Sequence, residues 1–165
     1  MAGASPSGKI GEIETSHGHL IKNLAIQSLK KNPNIKIFGN DYKTKDGTCI
    51  RDYVHVCDLV DAHVLGLKCL QSGRGGRAFN LGTGDGFSVR QVIDQAKHVT
   101  NRSVPITEGA RRPEDCTKLV SGSRRAETEL GWSADRSNLS QMITDAWSWH
   151  QTGDCQNCSK VLLGK

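Results

Sequence analysis

No run of apolar residues in this 165-residue chain approaches the roughly 20 that a membrane-spanning helix requires, and no signal-peptide pattern opens it. The expectation is a soluble, cytoplasmic protein. Aromatic residues are scarce: two tyrosines and three phenylalanines leave few surfaces on which bases stack, and zinc-finger spacing is missing. The formal charge is +5, but the basic residues are scattered apart from short "RR" and "KK" pairs, so no nucleic-acid partner is expected. Internal repeats and low-complexity tracts are lacking too. With 36% hydrophobic and 24% charged residues, the composition is that of one globular domain rather than a disordered chain.

Six cysteines are present, yet the sequence lacks the context of a disulfide framework. Cys49, Cys57, Cys69 and Cys116 sit singly within regular segments and read as reduced thiols. Cys155 and Cys158 form one CxxC in a polar tail, without the second pair or nearby histidines that a structural zinc site needs. His55, Asp58 and His63 are close in sequence, but their spacing fits no standard metal set; they read as packed or exposed polar residues.

The hydrophobic periodicity is informative. In "HLIKNLAIQSLKK", Leu20, Ile21, Leu24, Ala25 and Leu29 recur at helical spacing, and Asn32-Pro33 stops the run. Ile35 to Phe38 forms a short strand, and "IRDYVHV" is extended. Asp58 is expected to cap a helix reaching about Leu70, with Leu59, Ala62, Leu67 and Leu70 on one stripe. Ala78 to Leu81 reads as a strand, Val89 to His98 as a helix and "VPIT" as an extended piece. Arg111 to Asp115 is a charged loop, Ser123 to Leu130 a short helix closed by Gly131, and Leu139 to Trp149 a final helix. Strands alternating with helices place the chain in the α/β class.

Two glycine clusters invite a phosphate-binding reading. "FNLGTGDGFSVRQVI" runs from a strand through Gly82, Gly84 and Gly86 into a helix with Ser88 as N-cap, but the third glycine falls one residue early for a dinucleotide fingerprint. A tight strand-to-helix turn is the better reading. "GASPSGKI" has the Gly3, Gly8 and Lys9 of a P-loop, but Ile10 stands where a magnesium-binding Ser or Thr belongs.

"GASPSGKIGE", "IKIFGNDYKTKDGTCIRDYVHVCDLVDAHV", "FNLGTGDGFSV", "RRPED" and "ELGW" occur in this order and separation in UDP-glucose 4-epimerases. These are extended short-chain dehydrogenase/reductases, and the chain resembles their C-terminal half over residues 1 to about 150. The "RDYxHV" segment is shared with sister nucleotide-sugar dehydratases and decarboxylases, whereas "FGNDYKTKDGTCIRDY" is more particular to the epimerases. The resemblance implies an α/β substrate-binding portion that lacks most of the Rossmann domain. Residues 1–150 are then the UDP-hexose-binding portion and 151–165 a polar C-terminal tail.

Family epimerases pass the sugar C4 hydride to bound NAD while a tyrosinate takes the hydroxyl proton. The resemblance implies that the NAD-binding loop lies in a Rossmann half missing from these residues, and the family's homodimer surface with it. The catalytic Tyr-x-x-x-Lys is also missing, since Tyr42 is followed by Asp46 and Tyr53 by Cys57. No catalytic residue is therefore assigned, and the chain alone is expected to be inactive. What the family match does assign is substrate binding: Arg51 and Arg112 to the diphosphate, Asp115 to the ribose hydroxyls, and Lys36, Ile37 and Phe38 to the uracil, mainly through backbone groups. His19 and Leu20 align with an Asn-Leu pair. Paired guanidinium donors suit a diphosphate in a way that a lysine cannot reproduce. Leu119, where the family often has Tyr or Cys, and "VSGS" in place of "ADPS" leave the sugar preference open, N-acetylated sugars included. Alternatives are the same half of a sister nucleotide-sugar enzyme, or a non-catalytic basic module. Without its partner domain, the chain is expected to expose an apolar helix face and an unpaired sheet edge, and to be marginally stable.

Overall fold

The computed structural model describes residues 1–13 and 19–152. The CxxC of Cys155 and Cys158, and nearly all of the expected tail, lie outside the described residues.

Helix α1 (Leu20–Leu29) forms where expected and turns Ile21, Leu24, Ala25 and also Lys22 inward, while Leu29 at its end is exposed. Strand β1 (Ile35–Phe38) follows, then β2 (Ile50–Arg51), α2 (Val56–Gln71), β3 (Phe87–Ser88) and α3 (Val89–Thr100). The chain continues through β4 (Ile106–Gly109), β5 (Lys118–Leu119), α4 (Arg124–Leu130) and α5 (Leu139–Gln151). β1 and β4 pair in parallel, Ile35 opposite Ile106 and Phe38 opposite Gly109. The second sheet has the order β3-β2-β5, with β2 antiparallel to β3 and parallel to β5.

α1, α3 and α5 pack on one another and on β1, burying Leu24, Ile37, Val92 and Met142 almost completely. α3 begins with a full capping box: Ser88 Oγ accepts from Gln91 N, and the Gln91 side chain accepts from Ser88 N. Asp46 reinforces that start, accepting from Thr48 N at 2.9 Å, from Thr48 Oγ1 at 2.8 Å and from Ser88 Oγ. α4 ends at Gly131 in the left-handed conformation that glycine tolerates best (φ 67°).

The structure corrects three expectations. Asp58 is not the N-cap of α2. That position is His55, whose Nδ1 accepts from Cys57 N at 3.1 Å, while Asp58 sits buried in the first turn and accepts from Ser137 Oγ at 2.5 Å. His55 and Asp58 are thereby absorbed into packing, with His55 Nε2 3.1 Å from Asp145 Oδ2, and His63 is exposed on the helix.

The apolar stripe of α2 also divides. Leu59, Ala62 and Leu65 pack towards α4 and Trp132, whereas Leu67 and Leu70 are more than half exposed. Val60 and Val64 join them outside, because residues two apart on a helix point to nearly opposite sides. Third, Ala78 to Leu81 enters no strand among the described residues. A strand exists only through ladder partners. Here Phe79 and Leu81 instead pack against the α2–α4 cluster, and Ala78 O accepts from Arg125 Nη1 at 3.3 Å.

Candidate functional site

A cavity of about 670 Å³ opens between α1, β1, β2 and the loop joining β4 to β5. His19, Leu20, Lys36, Ile37, Phe38, Arg51, Arg112 and Asp115 all line it. These residues are spread over nearly a hundred positions of sequence, and four separate parts of the fold bring them to one cavity.

Arg51 stands at the end of β2, where parallel pairing with β5 brings it beside the loop carrying Asp115. Its Nη2 donates to Asp115 Oδ1 at 2.5 Å, and its Nη1 donates to the carbonyls of Ile50 at 2.8 Å and Cys116 at 2.9 Å. Burial works against the guanidinium's charge, but the hydrogen bond to Asp115 and the charge interactions with Cys49, Asp115 and Cys116 together outweigh it and keep Arg51 cationic. The residue expected to bind a ribose is thus the counter-ion of the residue expected to bind a phosphate, a pairing that their separation in sequence concealed. Arg112 lies above the Phe38 ring, 4.0 Å from its centroid, so the aromatic face expected to meet a base is engaged by a guanidinium. β1 is paired along one edge only among the described residues, which leaves alternate backbone N–H and C=O groups of Lys36 to Phe38 without a ladder partner.

On the other side, His19 Nδ1 is 2.8 Å from Glu12 Oε1, which also accepts from Lys22 Nζ at 3.0 Å. Burial raises the Glu12 pKa, but the bonds from Lys22 and His19 outweigh it and keep the carboxyl below its ordinary value. Glu12, Lys22, Asp52, Tyr53, Trp149 and His150 also line the cavity, and sequence reasoning missed them. Lys22 carried a usable signal: a lysine inside the apolar arc between Ile21 and Ala25 must be paired if it is buried.

Asp52 fixes the geometry from behind. Its carboxylate accepts from Thr83 N and Ser121 N at 3.0–3.1 Å and from Thr83 Oγ1 at 2.6 Å, joining the glycine turn to the end of β5 beside Arg51. The turn is packed into the protein: a Cβ at Gly82 would lie 2.1 Å from Ser121 O, and one at Gly86 would lie 3.0 Å from Arg51 O. Gly3 is closed similarly by the His55 ring. Gly3, Gly82 and Gly86 thus serve packing within the protein rather than a dinucleotide pyrophosphate, while Gly8 and Gly84 face open space. Tyr53 is pushed up to about 12 by burial, so it is protonated near neutral pH and is no proton acceptor there. Burial likewise raises the Cys49 thiol in the cavity wall. Leu119 is 62% exposed and does not line the cavity.

Residues 3–82 match the model of the NAD dependent epimerase/dehydratase family. The UDP-glucose 4-epimerase of Lactobacillus helveticus is 43% identical over 152 residues, which is 92% of this chain and 46% of that protein. A crystal structure of a UDP-glucose 4-epimerase superposes with a TM-score of 0.86 at 46% identity, over 93% of this chain and 46% of that one. The chain matches one half of a UDP-glucose 4-epimerase. The enzyme from Bifidobacterium longum, solved in complex with NAD+ and UDP, has a TM-score of 0.80 at 31% identity, with 93% and 46% of the two chains covered. The chain therefore spans about half the length of the epimerases it matches, and its α/β architecture superposes on that half. No helix among the described residues is long and apolar enough to cross a membrane.

Proposed function

We propose that these residues form the UDP-sugar-binding half of an NAD-dependent epimerase that interconverts UDP-glucose and UDP-galactose. The observation that carries this reading is the convergence of Arg51, Arg112 and Asp115 with β1 on one cavity. Arg51 and Arg112 bind the diphosphate, the Lys36 to Phe38 backbone reads the uracil edge, and Asp115 meets the ribose through its second oxygen. His19 and Leu20 close the wall. Oriented guanidinium donors at the cavity mouth are worth most against a doubly charged group, since charge-assisted bonds are about twice as strong as neutral ones. The relative solved with NAD+ and UDP supports the ligand class.

The same reading assigns no chemistry to this chain by itself. NAD supplies hydride acceptance in the family, and the packing of Gly82 and Gly86 argues against its being held here. The high Tyr53 pKa argues against a local base. The active unit then includes an NAD-binding half carrying Tyr-x-x-x-Lys, docked on the exposed face of α2.

Calorimetric titration of the chain with UDP, UDP-glucose and UDP-galactose tests the binding. Saturable binding that weakens at least tenfold in Arg51→Ala is expected; no binding of any of the three overturns the proposal. Mixing with a separately expressed NAD-binding half of the L. helveticus relative tests the division of labour. Epimerisation is expected only in the mixture, and turnover by the chain alone would refute it.

A further inference from the structure

The cations of the cavity are not equivalent. Arg51 is matched by Asp115, whereas Lys36 and Arg112 form no ion pair with any described carboxylate. Both instead meet one aromatic ring: Arg112 Cζ lies 4.0 Å and Lys36 Nζ 5.4 Å from the Phe38 centroid. Lys36 reaches the ring because residues two apart on a strand share a face. Gly109, opposite Phe38 in β4, leaves the space for its stem, since a Cβ there would meet Lys36 Cε at 2.4 Å. The negative π-face of a ring attracts each cation, but two like charges gathered at one ring repel each other. An anion between them removes that repulsion.

We propose that Phe38 is a positioning residue whose ring holds Arg112 and Lys36 as the anion-receiving pair of the cavity, rather than a platform on which the base stacks. This rests on the nucleotide-sugar reading and deepens it, adding Lys36 to Arg51 and Arg112 as a third cation facing the diphosphate in the cavity. The base is then recognised by the β1 backbone edge.

Uridine, UMP, UDP and inorganic pyrophosphate separate the two roles of Phe38. In Phe38→Leu, the Kd for UDP and pyrophosphate is expected to rise about two- to fivefold, the size of a cation–π contact at an exposed site. The uridine Kd stays within about twofold, because the base edge is untouched. In an Arg112→Gln background, Phe38→Leu adds nothing further for UDP. Gly109→Ala, which displaces only the Lys36 stem, weakens UDP less than Phe38→Leu does.

Proton NMR gives a readout without any ligand: the Arg112 Hδ signals lie upfield under the ring current and return to ordinary positions in Phe38→Leu. Equal losses for uridine and UDP, or unshifted Arg112 signals in the unsubstituted chain, overturn the inference while leaving UDP binding intact. Binding of pyrophosphate but not of UDP or uridine, with the Phe38 effect present, upholds the anion pair and sinks the nucleotide-sugar reading.

Discussion

Helices α5 and α2 have 13 and 16 residues, and both carry apolar side chains around much of their circumference, yet they are covered very differently. α5 buries Leu139, Met142, Ile143 and Ala146 in the cluster with α1 and α3, buries Trp147 and packs Trp149 on Ala4, and its Ala146, Trp149 and His150 reach the cavity wall. α2 buries Asp58, Ala62 and Cys69 on one side and leaves Val60, Val64, Leu67 and Leu70 between 46% and 56% exposed on the rest. Apolar side chains gathered on the open side of a helix mark a face suited to a partner. The difference teaches where the cavity's rigidity comes from. Its walls stand on the finished core, and the half-covered helix lies away from them, where a second body can dock without disturbing Arg51 or Arg112.

The sharpest break of that comparison is Met142→Ala in α5. Met142 is fully buried in the cluster with Leu24, Ile37 and Val92, so truncation removes packing and leaves a cavity. A loss of about 2–5 kcal/mol in unfolding free energy is expected by urea denaturation. Because α5 also forms part of the cavity wall, UDP binding falls with it.

Asp52→Ala acts on the site from its supporting side and is expected to cost about 2–3 kcal/mol. It strips a charged acceptor from Thr83 and Ser121 and leaves three part-buried donors unmatched. Its diagnostic is differential: the UDP Kd rises while the exposed face of α2 still binds a hydrophobic dye as before. Asp52→Asn recovers part of both losses, since one oxygen still accepts.

Protonation sharpens the same contrast. Burial raises the Asp46 pKa, but bonds from Ser88 and Thr48 outweigh it, leaving the folded pKa below its ordinary value. A carboxyl depressed on folding contributes its stability fully above the unfolded value of about 3.9 and loses it as pH falls through the folded value. Acid titration followed by circular dichroism should therefore show stability falling below about pH 4. Asp46→Asn flattens that slope, because the α3 cap then no longer depends on a charge. A slope unchanged by the substitution would place the acid sensitivity elsewhere.

Much of this division was legible in the sequence. The 3.6-residue period marked α1, α3 and α5, and the Ser88 and Gly131 signals fixed two helix ends because capping is a local property. The eight residues that the family resemblance singled out all line one cavity. What stayed hidden is non-local. Nothing in the sequence of "IRDY" says that Arg51 meets Asp115, since that contact depends on the parallel register of β2 and β5. Nothing in "FNLG" says that its backbone is without a ladder, because a strand's identity belongs to its neighbour as much as to itself. His55 displaced Asp58 as the α2 cap because a ring nitrogen accepts from the helix start as readily as a carboxylate does, which leaves Asp58 for Ser137 and Arg136.

The smallest expected effect falls on the outer face of α2, and its smallness is the point. Leu67→Gln exchanges a 56% exposed leucine for a residue of similar helix propensity, so unfolding free energy should change by no more than about 0.5 kcal/mol. Binding of UDP stays as it was, because Leu67 does not line the cavity. Dye fluorescence falls, since part of the solvent-facing apolar patch has been removed. Adding the NAD-binding half then separates cover from cargo: the substitution should weaken association of the halves while the UDP affinity of the isolated chain is unaffected. A loss of 2 kcal/mol or more in the isolated chain would instead mean that this face is already buried in solution, and the contrast between α5 and α2 would fail.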